Sequence, residues 1–317
     1  MKILVSVFFS LSIILGAAQL NLAEEEHHEE KHENKKEEHG KEEKGKSGEH
    51  GGKEGEKPKE HKKEGEEIVG HTAGVNGVLY IPGTTTVVSC STDKTIRFWD
   101  TVKGKELPKK FEGHTGAVTA MSISHYGKVL ATGGNDYKIK IWSLALSKEM
   151  RTLTGHFGTI NSLAVDPHGM YLVSGGDDHK IKVWDMRSGL TLYTISENLT
   201  RIFSVAISPN GKIFASGGEE GNIKIWDLAS GRLIRTLTGG HRYSVQSLIF
   251  TPNGKNIASS SWREIKVWDI SSGGITRTLT GNEVSGLAFN ANGTILASGG
   301  GYLHKSIKIW KPGRFNK

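Results

Sequence analysis

Six tryptophans recur at positions 99, 142, 184, 226, 268 and 310, one every 42 or 43 residues. A fixed period of this length means that one small unit of a few strands or helices is repeated, and it excludes folds assembled from unlike parts. Aligned on the Trp, the units read alike. A turn comes first: Gly70-His71, Gly113-His114, Gly155-His156 and Gly240-His241, with Glu197-Asn198 and Gly281-Asn282 standing in. An alternating apolar segment follows, such as Val118-Thr119-Ala120-Met121-Ser122-Ile123, then a glycine turn such as Asn210-Gly211 or Asn253-Gly254. Asn-Gly between alternating apolar runs is a strong hairpin signal. A second strand ends in Ser or Thr, a third reads Ile-x-[Ile/Val/Phe]-Trp, and a fourth resembles Arg151-Thr152-Leu153-Thr154. Four short strands per unit, with no helical period, predict the blade of an all-β propeller.

The repeats occupy only part of the 317 residues. Residues 1–23 read as an export signal: Lys2, a charge-free apolar run from Ile3 to Gly16, then small residues at Gly16-Ala17-Ala18, with a second cleavage point after Ala23. The run is short of the ~20 residues that span a bilayer, so stable membrane insertion is not expected once the signal is cleaved; an uncleaved segment could serve as an anchor. Residues 24–67 hold 17 Glu, 11 Lys and 6 His with no apolar side chain. Such a segment has no area to bury against its ordering entropy and reads as a disordered linker. His28-Glu29-Glu30-Lys31-His32 matches a zinc-protease pattern, but in so biased a segment the match carries no weight. His27, His28, His32 and His39 offer at most a weak metal-buffering site. Residues 68–317 have ordinary globular composition and carry 29 basic against 17 acidic residues. A basic body on an acidic leash favours partners with acidic surfaces; the export signal and the lack of an aromatic-interleaved basic motif argue against nucleic acid. Cys90 is the only cysteine, so no internal disulfide forms, and it is expected to be buried and inert. An exported chain without disulfides fits a periplasm better than other secreted settings.

Phe98-Trp99-Asp100, Val183-Trp184-Asp185, Ile225-Trp226-Asp227 and Val267-Trp268-Asp269 resemble the signature of the WD40-repeat family, and the resemblance extends over residues 66–317. It implies four-stranded blades around a central channel and a platform for protein binding. The last unit stops after its third strand, so the resemblance implies six blades closed by an N-terminal strand, Glu66-Glu67-Ile68-Val69; the alternative is an open ring whose gap a partner fills. It also implies a structural tetrad in each intact unit: His71, Ser89, Asp93 and Trp99; His114, Thr132, Asp136 and Trp142; His156, Ser174, Asp178 and Trp184. A Ser-His-Asp set elsewhere signals a hydrolase, but one that recurs three times with a Trp at its end reads as structural. Unit four has Asn198 and Glu220 in place of His and Asp. Unit five keeps His241, Ser259 and Trp268 but has a turn shortened by one residue and no Asp, so its network reads as broken.

That shortened turn holds Trp262, the only Trp off the period, followed by Arg263. Trp262 either presents an exposed aromatic or folds down to fill the missing Asp's space. The corresponding loop of unit six carries Tyr302, and first-strand starts nearby add Phe157, Arg201, Phe203, Arg242 and Tyr243. Trp, Tyr and Arg dominate binding hot spots. The expected function is therefore a non-catalytic, exported interaction scaffold within a hetero-complex, docking through units four to six and requiring no cofactor. The alternatives are a periplasmic propeller enzyme with a metal or cofactor in its channel, or a metal buffer using the tail. The innermost strands start with Val75, Val118, Ile160, Ile202, Val245 and Val284, which offer the channel no ligand.

Overall fold

The structure, a computed structural model, describes residues 68–196, 200–280, 284–300 and 307–311. The expected signal and linker lie outside them, as do Asn198, Asn282 and Tyr302. The described residues form a six-bladed, all-β propeller. Each blade is an antiparallel sheet whose strands follow in chain order, as in blade three: Ile160–Val165, Tyr171–Gly176, Ile181–Asp185 and Thr191–Ile195. Five blades have four strands. The sixth has three among the described residues, Val284–Phe289, Leu296–Gly300 and Ile307–Trp310. Of the expected closing strand, Glu66 and Glu67 are not described, and Ile68 and Val69 lie outside any strand.

The unit's letters explain its geometry. Turns such as Asn210-Gly211 place Gly at a φ of +67° and bind the Asn210 Oδ1 to the Lys212 amide at 3.0 Å. The paired glycines that end the second strand serve two different purposes. A Cβ on Gly175 would lie 2.4 Å from the Cγ2 of Ile202 in the next blade; one on Gly176 would lie 2.5 Å from the Thr159 carbonyl, where the first strand bulges. The first glycine admits the neighbouring blade, and the second admits the bulge. Cys90 takes the first of these positions in blade one and is fully buried in the cluster shared with blade two. Burial pushes its thiol far above the ordinary range, which keeps it protonated and inert.

Apolar clusters join each blade to the next. Ile139, Ile141 and Leu153 of blade two pack on Ile160, Leu163, Leu172 and Trp184 of blade three, and four further clusters repeat the scheme. Side chains also tie neighbours to one another's backbone. Asn76 donates to the Val118 carbonyl at 2.8 Å, Thr119 to Ile160 at 2.6 Å and Asn161 to Ile202 at 3.0 Å. The scaffold thus holds the turns at one end of the channel in fixed relation.

Candidate docking site on the tetrad end

The tetrad geometry sets where the turns at this end can go. In blade three, His156 Nδ1 lies 2.7 Å from Asp178, His156 Nε2 lies 2.7 Å from the Ser174 Oγ, and Trp184 Nε1 donates to that same Oγ at 2.8 Å. Blades one and two repeat these contacts within 0.1 Å, with Thr132 supplying the hydroxyl in blade two. The chain of donors is consistent: Nδ1–H donates to the carboxylate, the hydroxyl donates to Nε2, and the indole donates to the hydroxyl. The carboxylate also accepts the amide of the residue after the histidine, Phe157 in blade three at 3.1 Å. It therefore pins the turn before the first strand to the turn after the second. Ser174 is fully buried beneath the imidazole and the indole, so its oxygen cannot reach a substrate.

Burial alone would raise Asp178, but hydrogen bonds from His156 and from the amides of Phe157 and Lys180 outweigh it and hold the group below the usual carboxylate range. Asp93 and Asp136 are lowered in the same way. Burial pushes His114 and His241 below the ordinary imidazole value, with partial compensation from Asp136 and Glu264. Both kinds of shift have one sign. The folded groups bind protons more weakly than the unfolded ones, so their contribution is complete above the unfolded values and falls away with acid. The loss begins near the free imidazole value of ~6.5 and deepens through the carboxylate range near ~3.9 as pH approaches the folded values. Thermal melts taken from neutral pH downward should show midpoints falling through both windows; a flat profile to about pH 4 would contradict the assignment.

Blade five corrects the sequence reading. His241 Nε2 lies 2.6 Å from Ser259, Trp268 donates to Ser259 at 2.8 Å, and Glu264 takes the missing aspartate's place, 2.9 Å from His241 Nδ1. Its other oxygen meets Lys266 Nζ at 2.8 Å. The network is complete, not broken. The second and third strands are joined by a two-residue turn, Trp262-Arg263, with Ser261 paired to Glu264. In blades one to three the residue after the tetrad Asp sits at positive φ, at Lys94, Tyr137 and His179. Blade five drops that residue, so the acid moves to the start of the third strand, and the extra methylene of Glu restores the reach. Glu264 sits at Thr95's place relative to the Trp, a position that gave no signal because acids there are absent from the other units. In blades four and six the described part of the network is Trp226 to Ser216 at 2.8 Å and Trp310 to Ser298 at 2.9 Å.

Glu264 also decides the question of Trp262. The aspartate's space is occupied, and Trp262 stands at the hairpin tip, 48% exposed. Tyr243, 53% exposed, lies beside it with ring centroids 6.2 Å apart. The Arg242 guanidinium lies 5.8 Å from the Tyr243 ring, and Arg263 is exposed next to Trp262. Trp262, Tyr243 and Arg242 form one aromatic and basic cluster, and Arg263 is exposed on the same hairpin turn. Arg201 is turned to its own blade, against Phe203 and in an ion pair with Glu219 at 3.1 Å. Phe157 is exposed in blade three, with Lys180 Nζ 5.5 Å from its ring. At the other end of the first strands, a cavity of about 560 Å³ is lined by Ile123, Val165, Ile207 and Ile249. Among the described residues, no three His, Cys, Asp or Glu side chains gather as a metal cluster, and no helix is long and apolar enough to cross a membrane.

Fold and network together define a repeat propeller in which blades one, two, three and five each carry the same polar tetrad. The chain belongs to the WD40 family: the model "WD domain, G-beta repeat" matches residues 62–100, 105–143, 147–185, 189–227, 231–269 and 273–311. The chain is similar to the mitochondrial division protein 1 of Mycosarcoma maydis, 34% identical over 24% of this chain and 9% of that protein. It is 31% identical to the eukaryotic translation initiation factor 3 subunit I of Vanderwaltozyma polyspora over 27% of this chain and 25% of that one. It is 36% identical to the small ribosomal subunit protein RACK1y of Oryza sativa subsp. japonica over 26% of this chain and 25% of that one. Each match thus spans a quarter or less of the relative's length.

Proposed function

We propose that this chain is an exported, non-catalytic platform that docks an acidic protein partner through the cluster of Trp262, Tyr243, Arg242 and Arg263. The observation that carries this reading is the exposed Trp262–Tyr243 pair, held on a two-residue hairpin whose base is fixed by the Glu264–His241 network. Rigid aromatics lose little entropy on binding, and arginines beside them select carboxylates. One relative is named as a subunit of a translation initiation factor and another as a small ribosomal subunit protein; membership in a larger assembly is the matching role here. The apolar run Ile3–Gly16 and the small residues after it support export, and the charged segment 24–67 then serves as a spacer.

Hydroxyl-radical footprinting of the chain purified with its native partner tests the docking face. Trp262 and Tyr243 should lose reactivity on assembly while Tyr126, in a turn of blade two, keeps it. Protection confined to Tyr126 would overturn the assignment. N-terminal sequencing of the same material tests export: the mature chain should begin near Gln19 or Glu24, and an intact Met1 would overturn it.

A further inference from the structure

The first strand of each blade pairs on one side only, with the second strand, so its other edge faces the channel. Edge amides normally draw water into such a space. Here the preceding blade takes up three of them. The Val165 amide donates to Ser122 Oγ at 3.0 Å, the Val205 amide to Ser162 Oγ at 3.0 Å and the Leu248 amide to Ser204 Oγ at 2.9 Å. Ser124 and Ser208, further along the wall, accept the amides of Val129 and Ile213 in their own turns. The half-buried side chains of Val165, Ile207 and Ile249 line the cavity at this end of the channel. Its mouth is a collar built from one position of every blade, the second residue past the first strand. The six are Pro82, His125, Pro167, Pro209, Pro252 and Ala291. Four are prolines, which have no N–H, and only His125 carries a polar side chain. His125 is exposed, and the Tyr126 ring lies edge-on to it with centroids 5.0 Å apart. Among the described residues, no Asp, Glu, Lys or Arg lines this cavity, in a body that carries 29 basic and 17 acidic residues. Asp166, the acid of these turns, is buried, and its carboxylate accepts the amides of His168, Met170 and Tyr171.

We infer that this cavity binds an uncharged, mainly apolar small molecule that places one hydroxyl or carbonyl at the mouth, beside His125. The volume of about 560 Å³ falls within the range of small-molecule sites, ~300–1,000 Å³. The wall selects against other occupants. A charged ligand would give up its hydration with no opposite charge to meet it. A peptide would bring its own N–H and C=O groups against edge amides that already have acceptors, and would leave them unmatched. Ordered water needs several polar partners, which Val165, Ile207 and Ile249 do not offer. The imidazole of His125 can donate to a carbonyl or accept from a hydroxyl, so the one polar end of the ligand belongs at the collar. The site lies at the opposite end of the first strands from Trp262, and its ligand is distinct from the docked partner.

Fluorescence titration of the full chain with N-phenyl-1-naphthylamine, an uncharged apolar dye, tests the site. Emission should rise and saturate at a single site per chain. Decanol should displace the dye, and decanoate and decylammonium should each need about tenfold higher concentration or more to do so. Ile207→Glu sets a carboxylate in the wall and should abolish dye binding with the β-sheet circular dichroism retained. The charge series runs on the wild type, so it decides even where Ile207→Glu loses its fold. His125→Ala changes an exposed position and should weaken decanol about fivefold more than it weakens the dye. A wild type with no saturable dye binding overturns the inference. So does binding that a folded Ile207→Glu retains, or an ionic probe that competes as well as decanol. Equal losses for decanol and dye in His125→Ala would overturn the placement of the ligand's oxygen.

Discussion

Ser174→Ala should lower the unfolding free energy by about 3 kcal/mol. The Ser174 Oγ is the one atom bonded to both rings of its tetrad, at 2.7 Å from His156 Nε2 and 2.8 Å from Trp184 Nε1. Alanine leaves the indole N–H and the imidazole nitrogen together without a partner in a site closed to water. An unmet buried group costs roughly 1–3 kcal/mol each. The lost hydroxyl leaves too small a space for a compensating water with its required partners. The packing change is minor, so the loss reports the polar network. Ser174→Thr is the control, because blade two runs the same contacts through Thr132; its effect should be under about 1 kcal/mol. Urea titrations of all three proteins read the difference as a midpoint shift at constant slope. A Ser174→Ala loss no larger than the Thr control's would show that the tetrad does not bind the blade together.

Much of this was legible in the letters because the constraint repeats. A Trp every 42 or 43 residues fixes the blade, and a His and an Asp 22 residues apart mark one network in three successive units. Two features escaped for definite physical reasons. Glu264 lies two residues beyond the turn position in which an aspartate belongs, and only the two-residue hairpin in space shows that a longer side chain there reaches His241. Ile307 and Ile309 have the letters of any third strand; their sequence calls for a buried face, and exposure is a property of what stands opposite. Both belong to contacts between segments that sequence spacing does not relate. The residues proposed for docking fall between these cases. Trp262 stands out because it breaks the period, yet its exposure depends on Glu264 having taken the acid's place.

Trp262→Ala is expected to weaken partner binding by about 30-fold or more, the loss of roughly 2 kcal/mol that marks a hot spot. Trp262 is half exposed at a hairpin tip, and its ring lies against Tyr243, itself exposed. Its removal leaves the strands at Ser261 and Glu264 paired and the His241 network untouched, so the melting midpoint should hold within the range of ordinary surface changes. Trp262→Phe keeps an aromatic face and should recover part of the affinity. Arg263→Ala should act differently, slowing association and flattening its salt dependence, because an exposed charge steers encounter more than it holds the complex. The partner recovered by native pull-down with the full chain supplies the ligand, and titration against each purified variant gives the ratios. Equal affinity for wild type and Trp262→Ala would remove the aromatic cluster from the interface. A drop accompanied by an equal fall in stability would make Trp262 part of the blade rather than part of the docking face.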